Sequence, residues 1–225
     1  MKYFWINLDS CHKRRENMME QFKEEKIDNY RVSAYSSFTD TTDSKANACI
    51  RSHLQAIFHF IMNSKEEHAI ICEDDLSFEF KPMWKSCVET VVKNAPNDWG
   101  IIQLAVIIQN IEAKFSHRDL YFNYKDQPSS STLAYVINRS CGIQLLNKYL
   151  SSANNLQYPN ADCFHGGIYA KVNLFTNKIP YTYKYPMFTY PDNNDSLLDN
   201  SLDLHVACKR QLLEYLKKHS KNSKV

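Results

Sequence analysis

The residues best suited to chemistry stand together at Glu73-Asp74-Asp75, directly behind the apolar run Ile70-Ile71-Cys72. An apolar strand ending in three carboxylates presents them at the edge where open α/β sheets bind ligands. In extended backbone, alternate residues face the same way, so Glu73 and Asp75 are expected on one side and Asp74 on the other. Like charges in a row repel unless a cation or a basic side chain relieves them. Hard carboxylate oxygens suit Mg²⁺ or Mn²⁺. An exposed acidic turn is the alternative reading.

Other candidates lie apart in the chain. His53 borders the apolar face of a helical stretch, where a lone histidine is more often a hydrogen-bonded structural residue than a ligand. Arg14 and Arg15 sit early in a charged helix, within reach of phosphates or simply solvated. Asp162 follows Pro159 ahead of a predicted helix, placed either to cap it or to act as a base. His205 is a metal-ligand candidate near the chain end, or a surface histidine.

The elements that must position these groups alternate. Apolar runs predict strands over 3–8, 30–35, 68–72, 99–106 and 132–138, with 181–190 mostly extended. Helices are expected over 13–26, 83–93, 140–149, 162–172 and 203–218. A further helix is marked by Ile50, Leu54, Ile57, Phe58 and Ile61, which recur with a 3.6-residue period. Residues 36–43 read as loop, and 107–128 carry no clear pattern. Strands alternating with helices predict an α/β fold, a mostly parallel sheet covered on both faces. No linker divides the chain, so one domain over 1–218 is expected, followed by a basic tail over 219–225.

Composition removes several function classes. The 225 residues include four glycines, at 100, 142, 166 and 167. An average chain of this length carries roughly sixteen. Neither a G-x-G-x-x-G dinucleotide fingerprint nor a P-loop can be assembled from these positions. A net charge of +2 argues against a nucleic-acid partner. Seven cysteines, with no C-x-x-C, read as reduced and mostly buried thiols. The N-terminal apolar run turns polar after eight residues and predicts no signal peptide, no apolar run approaches a membrane-spanning length, and the expected setting is cytoplasmic.

Four short motifs, in order, resemble glycosyltransferase family 25, which holds bacterial lipooligosaccharide galactosyltransferases and procollagen galactosyltransferases. Ile6-Asn7-Leu8-Asp9, followed by Arg14-Arg15 and Met18, is similar to the family's opening motif. Ala48-Cys49-Ile50-Arg51-Ser52-His53 is similar to its A-C-x-x-S-H, and Glu73-Asp74-Asp75 stands where it carries acidic residues. Ala134-Tyr135-Val136-Ile137-Asn138-Arg139 is similar to its G-Y-I-I-S-R strand, with Asp162 downstream. Lys45, Ser131 and Ala134 replace glycine or small residues of the family pattern.

The resemblance implies a GT-A fold and metal-dependent, inverting transfer of a hexose, galactose or glucose, from a UDP-sugar to a glycan or protein hydroxyl. On that reading Asn7, Leu8, Arg14, Ser52, His53, Glu73 and Asp74 border the donor, and Asp75, Glu73 and His205 hold Mn²⁺ or Mg²⁺. Asp162 is then the general base. Two other classes stay open: a non-catalytic nucleotide-sugar- or glycan-binding module, and a metal-dependent hydrolase such as a glycosidase using Glu73 and another carboxylate.

Overall fold

The computed structural model describes residues 1–37, 39, 41–116, 118–153, 167–191 and 202–220. The first apolar run forms β1 (Tyr3–Asn7), and all five residues are buried. A strand covered on both faces needs apolar side chains at successive positions rather than alternate ones, and Tyr-Phe-Trp-Ile supplies them. Helix α1 (His12–Glu24) packs back on Met18 and Phe22. Strand β2 (Asn29–Ser33) then pairs parallel to one edge of β1, and β3 (His68–Glu73) pairs parallel to the other.

Between β2 and β3 runs α2 (Thr42–Asn63), which starts inside the stretch expected to be loop. The Thr41 side chain caps it by accepting from the Ser44 N–H. Its buried stripe is Ile50, His53, Ala56, Ile57 and Phe60, while Phe58 is exposed. The helix is therefore rotated from the expected stripe, and His53 faces the sheet.

The rest of the chain adds α3 (Val88–Lys93), β4 (Trp99–Gln103), α4 (Ile111–Lys114), β5 (Tyr121–Asn123) and β6 (Ala134–Asn138). Helices α5 (Arg139–Ala153) and α6 (Gly167–Phe175), strand β7 (Ile179–Tyr183) and helix α7 (Leu202–Ser220) follow. Helix α3 begins later than expected, after a 3-10 turn at Lys81–Met83 that contains Pro82. Helix α7 continues through His219 and Ser220, which the sequence pattern assigns to the tail.

Among the described residues, the seven strands form one sheet in the order β2-β1-β3-β6-β4-β7-β5. Pairing is parallel in β2-β1-β3 and β4-β7 but antiparallel where β6 enters between β3 and β4, and again at β5-β7. The fold is thus α/β with one mixed sheet, rather than mostly parallel. One core cluster joins α1 and α3 to a face of the sheet, and another joins α2, α5 and α6 to the opposite face. The stretch 107–128, patternless in sequence, builds a third cluster with α7, in which Phe115 stacks on Phe122 and meets Tyr215 edge-on.

Two of the glycines serve packing. A Cβ on Gly100 would lie 2.6 Å from Lys178 Cβ and 2.8 Å from Cys141 Sγ. One on Gly142 would lie 3.1 Å from a methyl of Ile57, so the missing side chain lets α5 approach α2.

Candidate functional site

Parallel pairing brings the C-terminal ends of β1, β2 and β3 to one edge, and the first half of α2 walls it. A cavity of about 300 Å³ opens there. Ile6 and Asn7 line it from β1 and Leu8 from just beyond it, Arg14 from α1, and Ala34, Tyr35 and Ser37 from the chain after β2. Lys45, Ala48, Cys49, Ser52 and His53 come from α2, and Glu73, Asp74 and Asp75 from the end of β3. Seven donor-side candidates and Asp75 therefore meet in one cavity, although they span residues 7 to 75.

The chain turns directly after Glu73, and the Leu76 N–H reaches the Glu73 carbonyl at 3.3 Å. Strand alternation ends there, so Asp74 and Asp75 do not take opposite sides. Both face Arg14. Its guanidinium donates to Asp74 Oδ1 at 2.9 Å and lies 3.9 Å from Asp75 Oδ2. Asn7 Nδ2 donates to the other Asp74 oxygen at 2.7 Å and to the Cys11 carbonyl at 3.2 Å. Asn7 Oδ1 in turn accepts from Arg15 at 3.1 Å and Arg31 at 2.9 Å. Asp74 thereby accepts at both oxygens and ties β1, α1 and β3 together.

Asp75 differs. Its Oδ1 is buried and has no hydrogen-bond partner among the described residues. Burial, reinforced by the Glu73 charge and opposed by Arg14, pushes its pKa up to about 7. Burial alone would raise Glu73 as well, but hydrogen bonds from His53 and Thr132, with Arg14 nearby, bring it below the ordinary carboxylate range. The two acids are thus pushed in opposite directions, Asp75 up by burial and Glu73 down by its hydrogen bonds, as acid and base groups are in many active sites.

His53 is held at both ring nitrogens. Nδ1 lies 3.2 Å from the Tyr135 hydroxyl and Nε2 lies 3.3 Å from Glu73 Oε1. Thr132 also donates to Glu73 Oε1, at 2.5 Å. Thr132 is set by the bend before β6, where Ser131 adopts φ 102°. The carbonyls of Ser130 and Ser131 there accept from the buried Gln103 amide at 3.0 and 2.9 Å. Ser52 shapes the wall, accepting from the Tyr35 N–H at 2.9 Å and donating to the Ala48 carbonyl at 2.7 Å. The Arg51 guanidinium stacks 4.4 Å from the Tyr35 ring.

Two candidates fall elsewhere. His205, on α7, packs its ring 5.3 Å from that of Tyr190 and does not line the cavity. Asp162 lies outside the described residues. Among the described residues, the group whose ligand atoms converge closely enough for a metal is Cys49, His53 and Glu73, within 4.8 Å of one another. In the sequence Cys49 stands out only as a motif residue. The signal that marks it as a ligand is its i, i+4 spacing to His53 on a helix. Thr132 and Tyr135 carry no such signal, because their contacts to the site depend on β6 pairing with β3.

The six described cysteines are free thiols; Cys72, Cys141 and Cys208 are buried, whereas Cys87 is exposed. No helix among the described residues is long and apolar enough to cross a membrane.

No family description matches this sequence, and no curated protein matches it. Solved structures give a looser likeness. One is a glycosyltransferase involved in glycosylation of the major capsid of PBCV-1, at 10% identity over 93% of this chain and 98% of that one, with a TM-score of 0.48. A second is the glycosyltransferase GlyE of Streptococcus pneumoniae TIGR4, at 8% identity over 97% of this chain and 64% of that one, TM-score 0.44. A third is a Drosophila β-1,4-galactosyltransferase 7 in complex with manganese, UDP-Gal and xylobiose, at 10% identity over 64% of this chain and 51% of that one, TM-score 0.33. At such identities and scores the chain is similar in course to glycosyltransferases, and the likeness assigns it neither a family nor a substrate.

Proposed function

We propose that the protein is a metal-dependent, inverting glycosyltransferase of the GT-A type, which moves a hexose such as galactose or glucose from a UDP-sugar to a hydroxyl of a glycan or protein. The observation that carries this reading is the buried, unpartnered Oδ1 of Asp75, a residue that lines the cavity where the first three motifs converge. A carboxylate oxygen kept from both water and protein donors is destabilised unless it meets a proton or a cation.

The residues fit an oxygen-bound divalent ion. Asp75 would hold it, with Glu73 supplying the carboxylate oxygen that His53 and Thr132 leave free. Mn²⁺ or Mg²⁺ in that position supplies charge neutralisation for a diphosphate leaving group. The protein's own groups do the positioning. Arg14 adds a fixed positive charge at the same place, and its pairing with Asp74 holds the guanidinium still. Asn7 and Leu8 close the cavity from β1, and the Ser52–Tyr35 contact shapes the side that would receive the nucleoside. Asp162 is proposed to take the proton from the acceptor hydroxyl as its oxygen attacks the anomeric carbon and the UDP–sugar bond breaks on the opposite face.

The test is thermal-shift screening of nucleotide sugars with and without Mn²⁺, followed by turnover of the stabilising donor. A UDP-hexose should stabilise the parent only with the ion, and Asp75→Ala should lose both this stabilisation and turnover. Equal metal-dependent turnover in the parent and Asp75→Ala overturns the ion assignment. Tight UDP binding without turnover over a broad acceptor panel points instead to a binding module.

A further inference from the structure

Helix α2 places Cys49 and His53 one turn apart on the face it turns toward β3. We infer that Cys49, His53 and Glu73 form a site for a thiophilic divalent cation of the Zn²⁺ class, which shares Glu73 with the oxygen site proposed at Asp75 but draws its other ligands from α2. The inference does not rest on sugar transfer, since it follows from a different donor set.

The geometry is close to that of a bound ion. Metal–nitrogen and metal–oxygen bonds of about 2.0–2.2 Å at a tetrahedral angle put two ligand atoms roughly 3.3–3.6 Å apart. His53 Nε2 and Glu73 Oε1 lie 3.3 Å apart. Cys49 Sγ completes the triangle within 4.8 Å. All three residues line the cavity, so a fourth position faces open space that water or a ligand can fill.

The surroundings fit as well. A metal-bound imidazole is usually fixed through its other nitrogen, and His53 Nδ1 lies 3.2 Å from the Tyr135 hydroxyl. Thr132 donates to Glu73 Oε1 and fixes the carboxylate. On binding, the imidazole stays neutral: its proton moves from Nε2 to Nδ1 and points to the Tyr135 oxygen. The thiol releases its proton to solvent, so one proton leaves per ion. Thiolate selects Zn²⁺ over Mg²⁺, whereas a set of carboxylates alone does not. Because Glu73 is shared, a thiophilic ion competes for the carboxylate with an oxygen-bound one.

Co²⁺ titration of the whole chain tests the inference through the thiolate-to-cobalt charge-transfer band and the visible bands of tetrahedral Co²⁺. Saturation at one equivalent is expected, with displacement by Zn²⁺. The charge-transfer band should vanish in Cys49→Ser, the binding should weaken at least tenfold in His53→Gln, and both should persist in Asp75→Asn. Absence of the band in the parent, or its survival in Cys49→Ser, overturns the site. Should Cys49→Ser fail to fold, X-ray absorption of the Zn²⁺-loaded parent decides: a sulfur neighbour supports the site, and a shell of nitrogen and oxygen alone refutes it. Failure of sugar transfer with the cobalt band intact removes the transferase reading and leaves this site standing.

Discussion

Asn7 Nδ2 donates to Asp74 Oδ2 at 2.7 Å, joining the end of β1 to the turn after β3. This bond and the Arg14 contact engage both oxygens of Asp74, whereas Asp75 keeps a buried oxygen with no partner among the described residues. The division of labour between adjacent acids therefore comes from which partners β1 and α1 bring, and it governs how the site responds to pH and to substitution.

The first consequence concerns pH. Asp75 has a folded pKa of about 7 against an ordinary 3.8. Between those values the folded chain holds a proton that the unfolded chain has lost, so this group's contribution to stability falls as pH rises through the window. A cation needs the ionised form, and its affinity rises over the same range. The Mn²⁺-induced rise in Tm is expected to grow from about pH 5.5 to about pH 8, whereas Asp75→Asn removes the rise and makes the metal-free protein more stable at the upper pH. Melting curves at both pH values, with Mn²⁺ and with chelator, check this.

Arg14→Ala removes the counter-charge that Asp74 and Asp75 share. Losing a hydrogen bond between charged groups is expected to cost about 1–3 kcal/mol near neutral pH. The loss should shrink on acidification, as Asp75 takes up a proton. Urea unfolding at two pH values measures it, and a cost independent of pH would refute the electrostatic account.

Ser131 sits at φ 102°, a conformation in which side chains are strained. Ser131→Gly relieves the strain, and Ser131→Val adds a branched Cβ to it. The glycine variant should unfold at least about 1 kcal/mol less easily than the valine variant. Because this bend delivers Thr132 to Glu73, Ser131→Val should also lower any turnover.

Gly100→Ala places a methyl within 2.6 Å of Lys178 Cβ and 2.8 Å of Cys141 Sγ. Overpacking of this kind costs about 1–3 kcal/mol, equivalent to a Tm lower by several degrees in a domain of this size. Ligand binding at the cavity should survive wherever the variant is folded, since no cavity residue is touched. Paired thermal melts with and without ligand read both effects.

Much of the site is legible in the order of the residues. The carboxylates behind an apolar strand point to the sheet edge, and the ordered motifs name the residues that meet in the cavity. The apolar periods also locate most helices and strands, because burial on a helix or strand face is a local, repeating demand on sequence. Stretch 107–128 escapes that logic because α4 and β5 are short and are stabilised by α7, far along the chain.

The antiparallel insertion of β6 is hidden as well, since a fully buried strand reads the same in either direction. That insertion brings Tyr135 to His53 and Thr132 to Glu73. The turn after Glu73 similarly cancels the alternation expected of the carboxylates.

The four glycines show the same division. Their positions in the chain are enough to exclude a glycine nest for phosphates, because too few stand close together. Which acid is left open follows instead from contacts made across the fold. Asp74 and Asp75 are chemically identical neighbours, and they diverge because long-range hydrogen bonds engage both oxygens of one while burial raises the pKa of the other.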